Sequence, residues 1–347
     1  MLWTVPPVPR QHVFDAYWHF AAERQRIYLS RLAGKPAPWT NDPILSTYKF
    51  CNAYRASDRV SQYLIREIIY SGPTVDPEDL LLRIVLFRLF SKPETWDLLD
   101  ADAQVSRKSL REGRLAEILD AEARRGRKLY TGAFILCATR AYGHQRKHQN
   151  HLALLEEMMA PGGLGQSVAR ASSIGELYEA LRCYPLIGPF MAYQLAIDIN
   201  YSELCDFDES EAVVAGPGAL RGIAKCFSDC DGWDPERVIL WMTERQDQEF
   251  ERLGIEFPGL FGRPLQAIDI QNLFCEIDKY SRVAFPELKS NRSRIKSRFV
   301  AQASLPAPFF PPKWGLDPAA ALRRPEAELS LPSANDQLTL SPEVACQ

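Results

Sequence analysis

No apolar run in the 347-residue chain approaches the roughly 20 residues that cross a bilayer. The opening Met1-Leu-Trp-Thr-Val-Pro-Pro has neither the charged flank nor the apolar core of a secretion signal, so no membrane partner is expected and the protein reads as intracellular. A disulfide framework is missing as well. Cysteines are scattered from Cys51 to Cys346, mostly in apolar helical contexts where a reduced thiol behaves as a small hydrophobe. Cys226 and Cys230 lie four apart with no second Cys or His pair at ligand spacing, so no metal is expected. Strand patterns are scarce: Ala212-Val-Val-Ala215 alone has β-branched character, and no βαβ alternation surrounds it. Nowhere does Gly-x-x-x-x-Gly-Lys-Ser/Thr occur, which leaves ATP hydrolysis without a visible site, and no cofactor is expected.

What the chain does have is helix. Hydrophobic residues make up 46% of it, enough for one large core or two modest ones. Helical periodicity runs over His12–Leu32, ended by Gly34 and Pro36, and over Asp58–Tyr70, ended by Gly72-Pro73. Asp76-Pro-Glu-Asp is a helix start with acids in its first turn, and Leu80–Phe90 is apolar enough to be deeply buried. Thr95–Leu99, Leu110–Ala123, Thr131–Ala141 and His151–Met159 continue the pattern, and Ser173 caps a helix ending near Arg182. Helices over 188–200, 218–227, 235–252 and 264–281 follow. An all-α fold is therefore expected. After Phe299 the composition turns Pro-rich, and this extended segment is expected to pack on the helical body through Phe309, Phe310 and Trp314. The polar remainder, 316–347, reads as a disordered tail.

Net charge is −3, yet the cations are unevenly spread. Between Arg107 and Lys147 basic residues outnumber acids, and Lys289, Arg292, Arg294, Lys296 and Arg298 form a second run containing no acid. Clustered cations suit a polyanion, because phosphate contacts need local charge rather than a high overall pI. Either run taken alone is also compatible with a solvated helix face.

Tyr184-Pro-Leu-Ile-Gly188-Pro-Phe-Met-Ala192 resembles the hairpin of helix-hairpin-helix DNA-binding proteins, roughly Leu-Pro-Gly-hydrophobic-Gly-x-x-x-Ala. A glycine turn ahead of a helix points backbone N–H groups at a phosphate without regard to sequence. Here Leu186 stands where the first glycine usually is, and Gly188 where the second is. In helix-hairpin-helix DNA glycosylases a catalytic Asp follows roughly twenty residues past the position of Phe190, which lands in the acidic run that holds Asp206, Asp208, Glu209 and Glu211. Asp208, Glu209 and Glu211 are the candidate catalytic acids, since a carboxylate so placed can stabilise an oxocarbenium-like sugar or activate a nucleophile. Lyase-type members carry a lysine at the Phe190 position, so Schiff-base chemistry is excluded here.

Two polar clusters complete the candidates. Asn52, Arg55, Asp58, Arg59 and Gln62 fall together, with the last four expected on one helix face by their spacings, as a pocket wall or a buried network. Gln271, Asn272, Glu276 and Lys279 form a stripe on a late helix, either reading a base edge or, for Glu276 and Lys279, making an ordinary helical ion pair. Gln194, one turn past the hairpin, is a further base-reading candidate. Gly216, Gly218 and Lys225, in a glycine-rich turn whose spacing does not fit a dinucleotide fingerprint, are expected near a second phosphate, as is Lys279.

Together, Asn52-Ala-Tyr-Arg-Ala-Ser-Asp-Arg-Val-Ser-Gln62, the Tyr184–Gly222 stretch, Asp269-Ile-Gln-Asn-Leu-Phe-Cys-Glu-Ile-Asp-Lys-Tyr280 and the late Pro-Pro-Lys-Trp resemble α-glutamyl/putrescinyl thymine pyrophosphorylase-like proteins. That family is also labelled the 5-hydroxymethyl-dUMP DNA kinase helical domain, or DNA base hypermodification proteins. The resemblance covers roughly 45–315 and implies a helix-hairpin-helix DNA glycosylase-like helical domain, preceded by an N-terminal helix and Pro-rich connection over 1–44. It implies duplex DNA with modified bases as partner, and action on a flipped 5-hydroxymethyl-pyrimidine derivative. One chemistry replaces a base-linked pyrophosphate by a small amine or amino acid as co-substrate; the other cleaves the N-glycosidic bond. The alternative from another class is a non-catalytic helix-hairpin-helix DNA-binding module.

Overall fold

The computed structural model describes residues 5–72, 75–132, 140–288, 292, 294–301 and 305–323. In chain order the helices are α1 (Gln11–Leu32), α2 (Pro43–Thr47), α3 (Arg59–Tyr63), α4 (Pro77–Phe90), α5 (Pro93–Ala103), α6 (Arg107–Arg111), α7 (Arg114–Arg124) and α8 (Lys147–Met158). There follow α9 (Leu164–Arg170), α10 (Ile174–Arg182), α11 (Pro189–Asn200), α12 (Pro217–Cys226), α13 (Pro235–Glu244), α14 (Gln246–Arg252), α15 (Ala267–Ala284) and α16 (Pro318–Arg323). Two short strands, β1 (Val8–Pro9) and β2 (Phe227–Asp229), pair antiparallel with Val8 opposite Asp229. The fold is all-α. Ala212–Ala215, the one stretch with β-branched character in the sequence, is irregular. β-branching at two residues does not outweigh the absence of a neighbouring strand to take their backbone hydrogen bonds.

Helix starts follow local chemistry. Asp42, Asp76, Ser173 and Asp234 each accept a first-turn N–H with their side chain. Two expected helices are split. Gly113, at φ +73°, separates α6 from α7 within Leu110–Ala123, and a kink at Arg245 (φ −95°, ψ 0°) separates α13 from α14 within 235–252. Helix α3 runs into a widened turn over Leu64–Ile69, closed by Tyr70 N donating to Ile65 O at 3.1 Å. Of the helix expected over Thr131–Ala141, residues 133–139 lie outside the described residues, as do 324–347 of the expected tail.

The chain forms two compact units. The first comprises the described residues of 1–57, 215–308 and 316–347; the second those of 58–214 and 309–315.

The first unit is built on α15, against which α1, α2, α12 and α13 pack. Tyr17 is fully buried, lies 4.8 Å from the Phe274 ring at a tilt of 43° and donates its hydroxyl to Ile270 O at 3.0 Å. The closest approach is between α12 and α15. A Cβ on Gly218 would lie 2.7 Å from Cys275 Sγ, and one on Gly222 would overlap the carbonyl of Phe274. This small-x-x-x-small spacing lets the two backbones meet, as α-helices otherwise keep 8–10 Å apart.

The second unit is organised on α4, whose residues from Leu81 to Phe90 are buried on nearly every side apart from Arg83. Helices α8, α9 and α11 and the Leu64–Ile69 turn surround it. Arg88 of α4 and Asp198 of α11 form a fully buried bidentate pair, with Nη2 donating to Oδ1 at 2.8 Å. Such a pair is stabilising only with both members present, because either charge alone is stranded away from water.

Replacing Gly222 by Ala is expected to lower unfolding free energy by about 3 kcal/mol in urea denaturation, an overpacking cost that falls on rigid backbone. Gly188→Ala, where a Cβ meets nothing within 4 Å, is the control and is expected to leave stability within about 0.5 kcal/mol.

Candidate functional site

The hairpin and the acidic run both belong to the second unit, joined by α11. Ile187 N donates to Tyr184 O at 3.3 Å, closing a turn in which Leu186 adopts φ +67°. This is the left-handed region that glycine enters without cost, and Leu186 occupies it at the position where the hairpin pattern has its first glycine. Ile187 is buried beneath the turn. Gly188 is exposed, with ordinary φ of −76°, and caps α11 ahead of Pro189 at the first helical position. With no side chain at Gly188 and a ring without N–H at Pro189, the helix start is open to a ligand that approaches the backbone.

At the other end, α11 gives way to the acidic loop through Asn200. Its Nδ2 donates to Phe207 O at 3.0 Å and its Oδ1 accepts from Phe207 N at 2.8 Å, so one amide holds both polar atoms of that residue. Asp206 and Asp208 are exposed; the Asp208 carboxylate accepts from Ser210 N at 2.8 Å, a local turn. Glu211 is exposed too. Glu209 is different: it is 4% exposed, the one candidate acid of the run turned into the protein. Beyond it Val213 is buried and Ala212 comes back against Gly175 at the start of α10.

Sequence reasoning missed what holds this loop in place. Lys313, in the Pro-Pro-Lys-Trp segment, inserts its side chain so that Nζ donates to Ser202 O at 2.8 Å and Cys205 O at 2.5 Å, with Asp206 Oδ1 at 3.5 Å. Trp314 meets Tyr201 edge-on at 5.6 Å, and Phe309 lies 5.6 Å from Tyr70, whose hydroxyl donates toward Tyr201 O and Glu203 Oε1, each at 2.9 Å. The signal available was a lone cation inside an apolar, Pro-rich segment. Gln62 belongs to the same clasp: Nε2 donates to Phe309 O and Oε1 accepts from Phe309 N, both at 2.9 Å. Both ends of its amide therefore grip backbone.

The remaining candidates divide between the units. In the second, Gln194 is buried on α11 at 2% exposure, Arg59 is exposed, and Asp58 is half-buried. Asp58 has extended backbone (φ −71°, ψ 147°) and precedes α3. The single helix face expected for Arg55, Asp58, Arg59 and Gln62 is thus interrupted, because Arg55 sits in a 3-10 turn over Arg55–Ser57 and the helix begins only at Arg59.

In the first unit, Asn52 is set by Arg24, which donates to its Oδ1 at 3.1 Å, while its Nδ2 donates to Ser57 O at 2.9 Å. Arg55 is buried, and its N–H donates to Asp269 Oδ1 at 2.7 Å; Asp269 Oδ2 accepts from Gln266 N at 3.0 Å. Burial pushes the Asp269 carboxyl up to about 6, against the pull of those two N–H donors. Gln271 is fully buried and donates to Cys275 Sγ at 3.2 Å; its Oε1 has no partner among the described residues. Asn272 is half-buried.

Glu276 and Lys279 form an ion pair at 2.6 Å, with Glu276 also accepting from Cys51 N and the Lys279 ammonium 4.6 Å over the Phe50 ring. Lys225 is buried at 4% exposure and directs Nζ to Asp278 Oδ1 at 3.2 Å and Asp278 O at 3.0 Å, away from any surface. Gly216 caps α12, and Gly218 lies in its packing face against α15.

Two outcomes test these assignments. Leu186→Val is expected to destabilise by about 1–2 kcal/mol, because a β-branched side chain is strained at positive φ, whereas Leu186→Gly stays near neutral as relief of strain offsets lost packing; thermal or urea unfolding reads both. For Asp269, the folded pKa of about 6 lies above the ordinary 3.8. A raised carboxyl pKa gives stability that is complete below the unfolded value and is lost as pH rises through about 6. Asp269→Asn is expected to flatten that decline between pH 4 and 6 in a pH series of urea midpoints.

Among family models, that of the 5-hmdU DNA kinase, helical domain, matches residues 11–290, from the first residue of α1 to just past α15. The curated 5-hmdU DNA kinase of Bacillus phage SP10 is 27% identical over 293 residues, which cover 79% of this chain and 46% of that protein. The chain thus spans about half the length of the curated relative it matches. No solved structure matches it. With the match running through the hairpin, the acidic loop and the polar stripe of α15, the chain belongs to the family of 5-hmdU DNA kinase helical domains.

Proposed function

We propose that this protein is a DNA-acting enzyme working on a flipped, hypermodified base, a 5-hydroxymethyl-pyrimidine derivative, with Glu209 as its catalytic carboxylate. The relative's name supports the substrate class. One observation carries the residue assignment: of the candidate acids Asp208, Glu209 and Glu211, Glu209 alone is buried, on a loop tied by Asn200 and Lys313 to the helix that the hairpin opens. A solvated acid turn needs no such restraint, whereas a general base must be held where the reacting atom arrives.

The hairpin start at Leu186–Gly188 grips a phosphate of the duplex beside the flipped nucleotide, and Gln194 reads the base edge. In the transfer reaction, the amine nitrogen attacks the exocyclic methylene of a pyrophosphorylated base. The C–N bond forms as the C–O bond to pyrophosphate breaks; Glu209 takes the proton from nitrogen, and Arg59 at the start of α3 holds the departing pyrophosphate. The same carboxylate serves excision, where it orients water toward C1′ and covers the positive charge on the sugar as the N-glycosidic bond breaks. The order of hairpin, helix and acid, shared with helix-hairpin-helix glycosylases, favours keeping that second reading. Phe190 in place of a lysine removes Schiff-base chemistry from it. Phosphorylation, the activity the relative is named for, is not assigned to this chain, which has no Gly-x-x-x-x-Gly-Lys-Ser/Thr loop.

Duplexes bearing 5-hydroxymethyluracil in free, pyrophosphorylated or glucosylated form, incubated with the protein and amines and digested to nucleosides for mass analysis, test the proposal. A base whose mass shows the amine in place of pyrophosphate marks transfer and an abasic site marks excision; unchanged nucleosides on every substrate overturn both. Glu209→Gln is expected to lower the rate about 100-fold at unchanged melting temperature, with Asp208→Asn and Glu211→Gln within about threefold of wild type.

A further inference from the structure

The two basic runs fare differently. In the first, Arg107 is shared among Asp76, Glu78 and Asp79, Arg125 and Arg127 converge on buried Glu122, and Arg146 pairs with Asp120. In the second, Arg294, Lys296 and Arg298 are exposed and make no ion pair among the described residues. From Leu288 to Gly315 the chain contains no Asp or Glu at all.

Residues 294–299 of this stretch are pinned at three places in the first unit. Arg282 Nη1 donates to Arg294 O at 3.3 Å. Lys49 N donates to Ser297 O and Phe299 N to Thr47 O, each at 3.0 Å, closing an antiparallel bridge between Tyr48 and Arg298. The Phe299 ring lies edge-on to Trp39 at 6.3 Å, with the Arg31 guanidinium 5.8 Å from its centre.

In extended backbone alternate residues share a side. The bridge at Arg298 gives the chain that form, and the burial upstream follows it: Arg294, Lys296 and Arg298 are exposed, whereas Ile295 and Phe299 are half-buried. Cations at every second residue of such a chain repeat at about 6.6–6.8 Å, comparable to the separation of neighbouring phosphates along one DNA strand, which exceeds the roughly 3.4 Å axial rise because the strand winds around the axis. Lys49 stands across from Ser297 and so falls on the other side.

We propose that Arg294, Lys296 and Arg298 form a prebuilt cationic ribbon that docks the phosphodiester backbone of DNA, one cation to each successive phosphate. The inference rests on the DNA-acting reading above and adds the surface that holds the duplex. A ribbon fixed before binding loses little freedom on docking, and alternation keeps each ammonium or guanidinium on a phosphate without reading sequence.

The test uses the full chain and an unmodified duplex, so that it depends on no base chemistry. Anisotropy titrations over a salt series give the slope of log affinity against log salt for wild type, for Arg294→Gln/Lys296→Gln/Arg298→Gln, and for a charge-matched control, Lys108→Gln/Arg111→Gln/Arg124→Gln. Loss of about 2 to 3 from the slope in the ribbon variant, with the control within about 1 of wild type, is expected from three released phosphate contacts. Equal slopes in ribbon variant and wild type overturn the proposal, as does an equal loss in the control, which makes the effect one of net charge. Binding to phosphatidylserine vesicles with none to duplex overturns it too. A failed ribbon leaves the nucleoside assay free to succeed, and inert modified bases leave the salt slope free to change.

Discussion

The second unit depends on one buried ammonium. Lys313 has three N–H donors and finds three acceptors, the carbonyls of Ser202 and Cys205 and the carboxylate of Asp206. A lysine taken from water without such partners is expensive, so the side chain is retained only if the loop around it keeps this shape. Its position at the end of α11 adds a favourable field, since a helix presents partial negative charge at its C-terminus. Asn200 closes the same turn from inside through Phe207, and Gln62 fixes the segment that delivers Lys313 by pairing with both polar atoms of Phe309. An acidic run that by composition belongs in solvent is thereby folded so that its third acid, Glu209, faces inward. Two residues before Asn200 on α11, Asp198 is anchored on α4 by Arg88, so the end of the helix that leads into the acidic loop is held at both residues.

The first unit solves a different problem, that of bringing α12 against α15. Gly218 and Gly222 allow it sterically. The charges that meet there then need a common partner, and Asp278 supplies one: fully buried, it receives Arg221 at 3.1 Å, Lys225 at 3.2 Å and Arg282 at 2.7 Å. Burial alone would raise its pKa; the hydrogen bond from Arg282 and the charges of Lys225 and Arg282 outweigh that and hold the carboxyl below its usual range. This accounts for the glycine-rich turn. Two of its glycines serve helix approach, and its lysine is a counter-ion to an interior acid. The same arrangement leaves Arg282 with a second terminal nitrogen to pin Arg294, so interior and ribbon are mechanically linked.

Local signals made much of this legible. Apolar periodicity located α1 and α4 within a residue or two at their ends, and Asp76 and Ser173 announced the helices they cap. The failures share a cause: a side chain's partner is set by tertiary contact, which spacing along the chain does not encode. Gln62 reads in sequence as part of a pocket wall or a buried network; the partner its amide finds is a backbone 247 residues away. Arg55 and Gln62 looked coplanar under helical spacing, but Asp58 is extended and breaks the count. Lys225 read as a surface cation because nothing within a helical turn opposed it, its acid lying 53 residues later on α15. The two basic runs already differ in composition, since the second holds no acid, and the pairing of Arg107, Arg125, Arg127 and Arg146 with acids in the first widens that difference.

Leu186 shows how far such reasoning can be pressed. A leucine at positive φ costs on the order of 1–2 kcal/mol, and a glycine there would avoid it. Strain of this kind persists only where the surroundings over-determine the backbone. Here they do: Ile187 must enter the core on one side, and Gly188 must emerge on the other to start α11 behind Pro189. Between those requirements the chain has one residue in which to reverse direction. Leu186 is thus bent by its neighbours into a conformation that glycine enters without strain.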